Sequence, residues 1–334
     1  MLRIPFNEIH TELVRILLRY KFTEERADLC ARLFAETTLD GVYSHGLNRF
    51  PRFIDYIQKA YVDVHALPQK VEGGFGAIEK WDGHLGVGNL NAWQSMNRAM
   101  QIADKSGIGV VALKNTNHWM RGGTYGWQAA QNGYIGICFT NTIPNMPAWG
   151  VKEAVLGNNP LVIAFPRAEG HIVLDTAMSQ FSYGKLEITR LKGELLSVPG
   201  GFDELGQLTH DPAAIEKTGN VLPMGYWKGA GLSLMLDLLV ATLSDGFSAT
   251  QIGAKHEDEY GISQVFIAIS PNILDPIHTV TVLKQTLAAL HQAEPNEPKG
   301  KAYYPGERTS RTRQENMEKG IPVDRAFWEE LKKL

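Results

Sequence analysis

Five short runs of apolar and β-branched residues constrain this chain more than any other feature: GIGVVALKN (107–115), YIGICFTN (134–141), PLVIAFP (160–166), HIVLD (171–175) and QVFIAIS (264–270). Each reads as a buried strand. Between and after them the spacing predicts helices near 91–106, 122–132, 229–244 and 280–293. Strands alternating with helices predict an α/β lobe with a mixed sheet over residues 73–299.

The 334 residues exceed what one small core needs, so a second lobe is expected. The first 72 residues read helical. Ile9, Leu13, Ile16 and Leu17 recur at helical spacing behind Asn7, a plausible cap. Thr23, ahead of Glu24 and Glu25, opens a second helix that ends near Asp40 and Gly41. A third is predicted from about Pro51, carrying Phe53, Ile54 and Ile57. After Pro295, the polar stretch EPNEPKGKAYYPGERTS reads as a crossing loop. Two short helices close the chain, the second holding Phe327, Trp328 and Leu331. Such an apolar end needs a surface to dock on, and the N-terminal helices offer one. Residues 1–72 and 300–334 are therefore expected to form a helical lobe.

With 44% hydrophobic and 21% charged residues the chain has a globular composition. A net charge of −3 and a pI of about 6.4 give no attraction to nucleic acid or acidic membranes. The start, MLRIPFNEIHTELVR, lacks an apolar core with a cleavage site, so no signal peptide is expected. The longest apolar run, GLSLMLDLLVATL, is interrupted by Asp237 and is too short to span a bilayer. Only Cys30 and Cys138 are present, without CxxC spacing, which fits a reducing cytoplasm and no disulfide framework.

No HExxH, GxSxG or Walker motif occurs, and the histidines lack metal-ligand spacing; no metal is expected. KHEDEYG (255–261) has contiguous acids that point in different directions, and it reads as a solvated turn. YWKGAGLSLMLDLL (226–239) has Gly229 and Gly231 at a helix start, but Leu234 stands where a third fingerprint glycine belongs. That argues against a standard Rossmann unit. The helix start still suits an anion, with Lys228 adding charge and Trp227 a flat surface; a glycine-rich packing helix is the alternative. HIVLDTAMSQFSYGK (171–185) puts Asp175 and Thr176 at a strand end, either as ligand groups or as a cap for the next helix. NTNHWMRGG (115–123) places His118 and Arg121 before a Gly-Gly turn.

DGVYSHGLNRFPRF (40–53) holds His45, with Arg49 four residues on. Reducing a ketone with hydride creates an alkoxide, and an imidazole is the best-matched proton donor near neutral pH. Arginine grips the carboxylate of a 2-oxo acid bidentately. His45 and Arg49 supply both groups, on one side if the segment is helical, and Ser44 can orient the ring.

GVYSHGLNRFPRF, NHWMRGGTYGWQAA, GYIGICFTNT, MPAWG, FSYGKLE and LPMGYWKGAGLSLMLD together resemble the malate/L-lactate dehydrogenase-type oxidoreductases, from about Thr11 to Leu334. The resemblance implies a nicotinamide cofactor held outside a Rossmann fold, with NADH preferred and NADPH possible. It implies His45 as proton donor, with His118 as a second acid–base candidate. By the same resemblance His171, Ile172, Val173, Leu174, Asp175, Thr176 and Ala177 line the nucleotide. Trp227 and Lys228 contact it, and Gly306, Glu307 and Arg308 close over it. The family pattern has Asp-Met where this chain has Asp175-Thr176, and a relative has Gly-His-Glu at 306–308. Reduction of a 2-oxo sugar acid by a homodimer is the implied function. A sister dehydrogenase of malate, lactate or another 2-hydroxy acid, and a silent NADH-binding protein, are the alternatives.

Overall fold

The computed structural model describes residues 1–296 and 300–334. Its centre is a seven-stranded sheet built from β1 (Gln69–Phe75), β2 (Ile78–Asp82), β3 (Ile108–Thr116), β4 (Ile135–Thr140), β5 (Leu161–Phe165), β6 (Ile172–Thr176) and β7 (Ile262–Ile269). The spatial order is β1-β2-β3-β7-β4-β5-β6. Only β2 and β3 run parallel; every other neighbouring pair is antiparallel, so the sheet is mixed. The five apolar runs are β3 to β7. The β1–β2 hairpin escapes the sequence reading because VEGGFGAIEKW carries glycine and charge and lies largely exposed at the edge. The sheet thus begins at Gln69, ahead of the expected change of texture at 73.

Side chains alternate across the sheet. Val111, Leu113, Cys138, Phe266 and Ala268 face a core shared with α4 (Gly88–Ser106) and α5 (Gly123–Gln131). Val110, Ala112, Phe139 and Val265 face the other way, against Ala230, Leu236 and Val240 of α7 (Trp227–Ser244). Helices on both faces bury the strands, which is why their sequences are almost continuously apolar.

Helices α1 (Phe6–Arg19), α2 (Glu24–Leu39) and α3 (Phe50–Gln58) share one apolar cluster with Ile321, Val323, Trp328 and Leu331 from the C-terminal end. Leu2–Ile4 also pairs antiparallel with Ile321–Val323. Helix α1 begins one residue before Asn7, with Pro5 at its N-cap in extended backbone, so Asn7 lies inside the helix rather than capping it. Thr23 does cap α2 in position, with extended backbone but no side-chain bond. Further helices are α6 (Tyr183–Leu191), α8 (Pro276–Gln292), α9 (Glu307–Lys319) and α10 (Arg325–Leu331). Residues 297–299 of the expected crossing loop lie outside the described residues.

Among the described residues no single helix is long and apolar enough to cross a membrane. Helix α7 is apolar around its whole circumference but buries only part of it. Leu232, Leu234, Met235, Leu238 and Leu239 remain exposed.

Candidate active site

His45 and Arg49 do not share an α-helix. Two 3-10 turns, Tyr43–His45 and Leu47–Arg49, meet at Gly46. A Cβ there would lie 2.4 Å from Thr38 Oγ1 and 2.8 Å from Thr38 N, so only glycine lets the turn press onto the end of α2. Thr38 Oγ1 then accepts from Leu47 N at 2.9 Å and locks the turn. The helix on which a shared side for His45 and Arg49 depends is thus replaced by two 3-10 turns.

His45 is half-buried. Its Nδ1 lies 2.9 Å from Ser44 Oγ, so the hydroxyl fixes the ring. Burial lowers its pKa, the Asp175 charge raises it, and Arg49 and Arg121 lower it again. His118 stacks beside it, with ring centroids 6.0 Å apart and planes at 23°. His118 Nδ1 accepts from Met120 N at 3.0 Å. Burial, then Arg49 and His45, hold its pKa well below the ordinary value.

Two depressed imidazoles give a stability prediction. The unfolded chain takes up their protons near pH 6.5, before the folded protein does. Stability is therefore whole above about pH 6.5 and falls as the pH drops toward the folded-state values. Melting temperature followed from pH 7.5 to pH 5 should fall, and His118→Asn should flatten that dependence.

Asp175, at the end of β6, accepts from Gly123 N at 2.8 Å. It caps the start of α5 rather than the helix that follows it in sequence. That helix, α6, is capped by Ser182 instead. Arg121 is not a free partner for His118: it pairs with Asp40, which also takes Arg313 of α9 at 2.7 Å. His118 also walls a small cavity lined by Arg49, by Arg52 and Tyr56 of α3, and by Asn117 and Met120.

KHEDEYG is not wholly a surface turn. Glu259 is 8% exposed and faces this cavity's charges. Its Oε1 lies 3.9 Å from His118 Nε2, and its Oε2 accepts from Ile143 N at 3.4 Å. Burial raises its pKa, against the pull of Arg49, Ile143 N and Arg52. Asp258 turns outward to the Tyr56 hydroxyl and Lys59.

The second half of the site forms along β6. Met224 N donates to Met178 O at 2.8 Å, which brings the head of α7 beside the strand's end. Gly225 and Tyr226, both at φ 61°, turn that head outward, and Trp227 and Lys228 are exposed. From the C-terminal loop, Pro305 O accepts from Val173 N at 2.9 Å. Gly306, at φ 93°, lies so close that a Cβ would meet Val173 N at 3.2 Å. The Glu307 carboxylate faces inward instead, held by His291 at 2.9 Å and Arg311 at 2.9 Å. Its backbone N–H donates to Tyr304 O at 3.1 Å, so this residue is structural in the loop. Arg308 is exposed over the Tyr303 ring, 5.5 Å from the centroid. His171 and Ile172 are half-buried and Leu174 and Asp175 exposed, while Thr176 and Ala177 lie at the strand's end. The first amides of this 18-residue helix are already taken by Gly225 O, Met224 O and Tyr226 O, so what the helix head offers a dinucleotide beside the strand is the Lys228 cation, the Trp227 surface and the helix dipole.

The malate/L-lactate dehydrogenase family model matches residues 4–332. The chain belongs to that family. It is 47% identical to a 2,3-diketo-L-gulonate reductase of Pasteurella multocida and 46% identical to one of Citrobacter koseri, over the full length of both chains in each case. A sulfolactate dehydrogenase from Methanocaldococcus jannaschii is 29% identical, with a TM-score of 0.90 over 99% of this chain and 96% of that one. This family member is a nicotinamide-dependent oxidoreductase of CH–OH and C=O groups, and its mixed α/β fold is that of its solved relatives.

Sequence reasoning missed Asp40 and Glu259. Asp40 looked like a helix terminus, and its ionic partners are 81 and 273 residues away. Glu259 sat in a polar run, and no local signal distinguishes it from its exposed neighbours.

Proposed function

We propose that this dehydrogenase-family member reduces the C2 ketone of 2,3-diketo-L-gulonate to 3-keto-L-gulonate. The substrate is inferred from the full-length relatives in Pasteurella and Citrobacter. The chemistry rests on one observation: the Ser44-held imidazole of His45 stacks on His118, a wall of the arginine-lined cavity, within electrostatic reach of Asp175 and Arg49.

A bound nicotinamide dinucleotide, NADH in preference to NADPH, supplies the hydride. Residues His171 to Ala177 would line it, Trp227 and Lys228 would contact it, and the loop carrying Gly306, Glu307 and Arg308 would close over it. Arg49 grips the substrate carboxylate, and His45 gives its proton to the C2 oxygen. Ser44 keeps the ring in one orientation, and His118 is the second acid–base candidate. Because its pKa is depressed, His45 is mostly neutral in the free enzyme at pH 7. A bound carboxylate favours its protonated form. Reductive kcat/KM should therefore fall as pH rises, with a midpoint below 6.5 in the free enzyme.

A substrate panel followed at the NADH absorbance band tests the reading. Diketogulonate should be reduced faster than pyruvate or oxaloacetate. Equal or slower turnover would transfer the function to a sister dehydrogenase, and binding of NADH without any turnover would make the chain a silent binder. Lys228→Ala should weaken NADH binding, measured by tryptophan quenching, before it changes kcat.

The exposed leucine row of α7 supports a homodimer, since a continuous apolar helix face favours a second copy. Leu238→Glu should then halve the mass seen by light scattering. Two buried free thiols, Cys30 and Cys138, support a cytoplasmic location.

A further inference from the structure

We propose that Gly184 is a positioning residue for the proton donor: its missing side chain lets α6 rest directly on Ser44, and that contact keeps the Ser44 hydroxyl against the His45 ring. The inference rests on the reading that His45 gives the proton in ketone reduction.

Nothing local asks for glycine at this position. Gly184 lies in the first turn of α6, behind the Ser182 cap, and its φ is not positive. Alanine is the better helix former there. The reason for glycine lies across the gap. A Cβ at 184 would stand 2.9 Å from Ser44 Cβ and 3.4 Å from Ser44 Oγ. Two carbons in contact need about 3.5–4.0 Å. The nearer atom is a Cβ, so no rotamer of Ser44 relieves the overlap. Either the helix or the turn that carries Ser44 has to move.

The helix is the better anchored of the two. Tyr183 Oη lies 2.8 Å from Asn145 O and 3.0 Å from Gly219 O, and both are hydrogen-bond acceptors. Ser182 Oγ accepts from Lys185 N at 3.2 Å, and Leu186 is fully buried. Ser44 instead sits on a 3-10 turn of three residues, Tyr43–His45. The far end of that turn is already pressed onto Thr38 at Gly46. A methyl group at 184 therefore displaces Ser44, by roughly 0.5–1 Å.

Ser44 Oγ lies 2.9 Å from His45 Nδ1, and a shift of that size takes the hydroxyl off the ring. The bond at one ring nitrogen decides which nitrogen exchanges a proton. With Nδ1 engaged by Ser44, Nε2 is left for the substrate oxygen.

The test is a double-mutant cycle on kcat for diketogulonate reduction. Ser44→Gly removes the carbon that a methyl group at 184 would strike. Gly184→Ala should lower kcat about 10- to 100-fold in the wild-type background, the scale expected for a misplaced catalytic group. In the Ser44→Gly background it should lower kcat by less than about twofold, a coupling of at least about fivefold. A merely structural glycine would lower kcat alike in both backgrounds, and a coupling below about fivefold overturns the proposal. A Gly184→Ala protein that fails to fold overturns it too, since the glycine would then serve the fold.

Nitrogen-15 NMR of the imidazoles at about pH 8, with His45→Gln to assign the signals, reads the same contact without turnover. His45 should show one tautomer in the wild type and a mixture in Gly184→Ala. If no 2-oxo acid is reduced, the proposed function fails while this comparison still judges Gly184, and unchanged His45 signals overturn the proposal.

Discussion

His45→Gln is expected to lower kcat for ketone reduction about 10²- to 10⁴-fold, the usual contribution of a positioned general acid. Glutamine approximates the length of the ring and keeps a group that can bond to Ser44 Oγ, which lies 2.9 Å from Nδ1 in the native protein. It has no proton to give near neutral pH. NADH affinity should be unchanged, because β6 and the head of α7 do not depend on this side chain. His118→Gln serves as the comparison. Its Nδ1 is already committed to Met120 N, so its loss should disturb the cavity wall and raise KM more than it lowers kcat. Steady-state kinetics of both variants separate the two imidazoles. A His45→Gln enzyme at wild-type speed would remove that residue from the mechanism and move the acid role to His118.

The largest effect on stability is expected from Asp40→Ala. Asp40 and Arg121 are each 6% exposed, and Asp40 also receives Arg313 at 2.7 Å. Removing the carboxylate leaves a buried guanidinium without a counter-charge. Breaking a buried pair in this way costs about 3–5 kcal/mol. Urea unfolding should show that loss as a lower midpoint with an unchanged slope. Asp40→Asn, which preserves shape and an acceptor, should lose less. The unanswered charge of Arg121 would also lower the His45 pKa further, since Arg121 already pushes it down. Any Asp40→Ala protein that folds should therefore reduce substrate more slowly at pH 7 than Asp40→Asn.

Local pattern carried much of the architecture. Four of the apolar runs, β3, β4, β5 and β7, became inner strands because each is apolar enough to be covered by neighbours, whereas the fifth, β6, forms the other edge with Leu174 and Asp175 exposed. Gly-Gly before α5 and the glycine-rich head of α7 were visible as unusual helix starts. The charged edge hairpin was invisible, since exposure relaxes the demand for apolar residues. The 3-10 geometry at Gly46 was also out of reach, because its cause is the backbone of Thr38 on another helix.

The sequence by itself determined which segments must be buried, where helices start and stop, and which residue types are present for proton transfer and carboxylate binding. Those follow from period, cap and side-chain chemistry, all of which are local. Only the tertiary structure decided which charges meet: Asp40 with Arg121 and Arg313, Asp175 with the start of α5, and Glu259 with the cavity beside His118. Charges interact through space and through the water that burial removes. Neither the separation nor the burial of two groups far apart in the chain is written in their spacing.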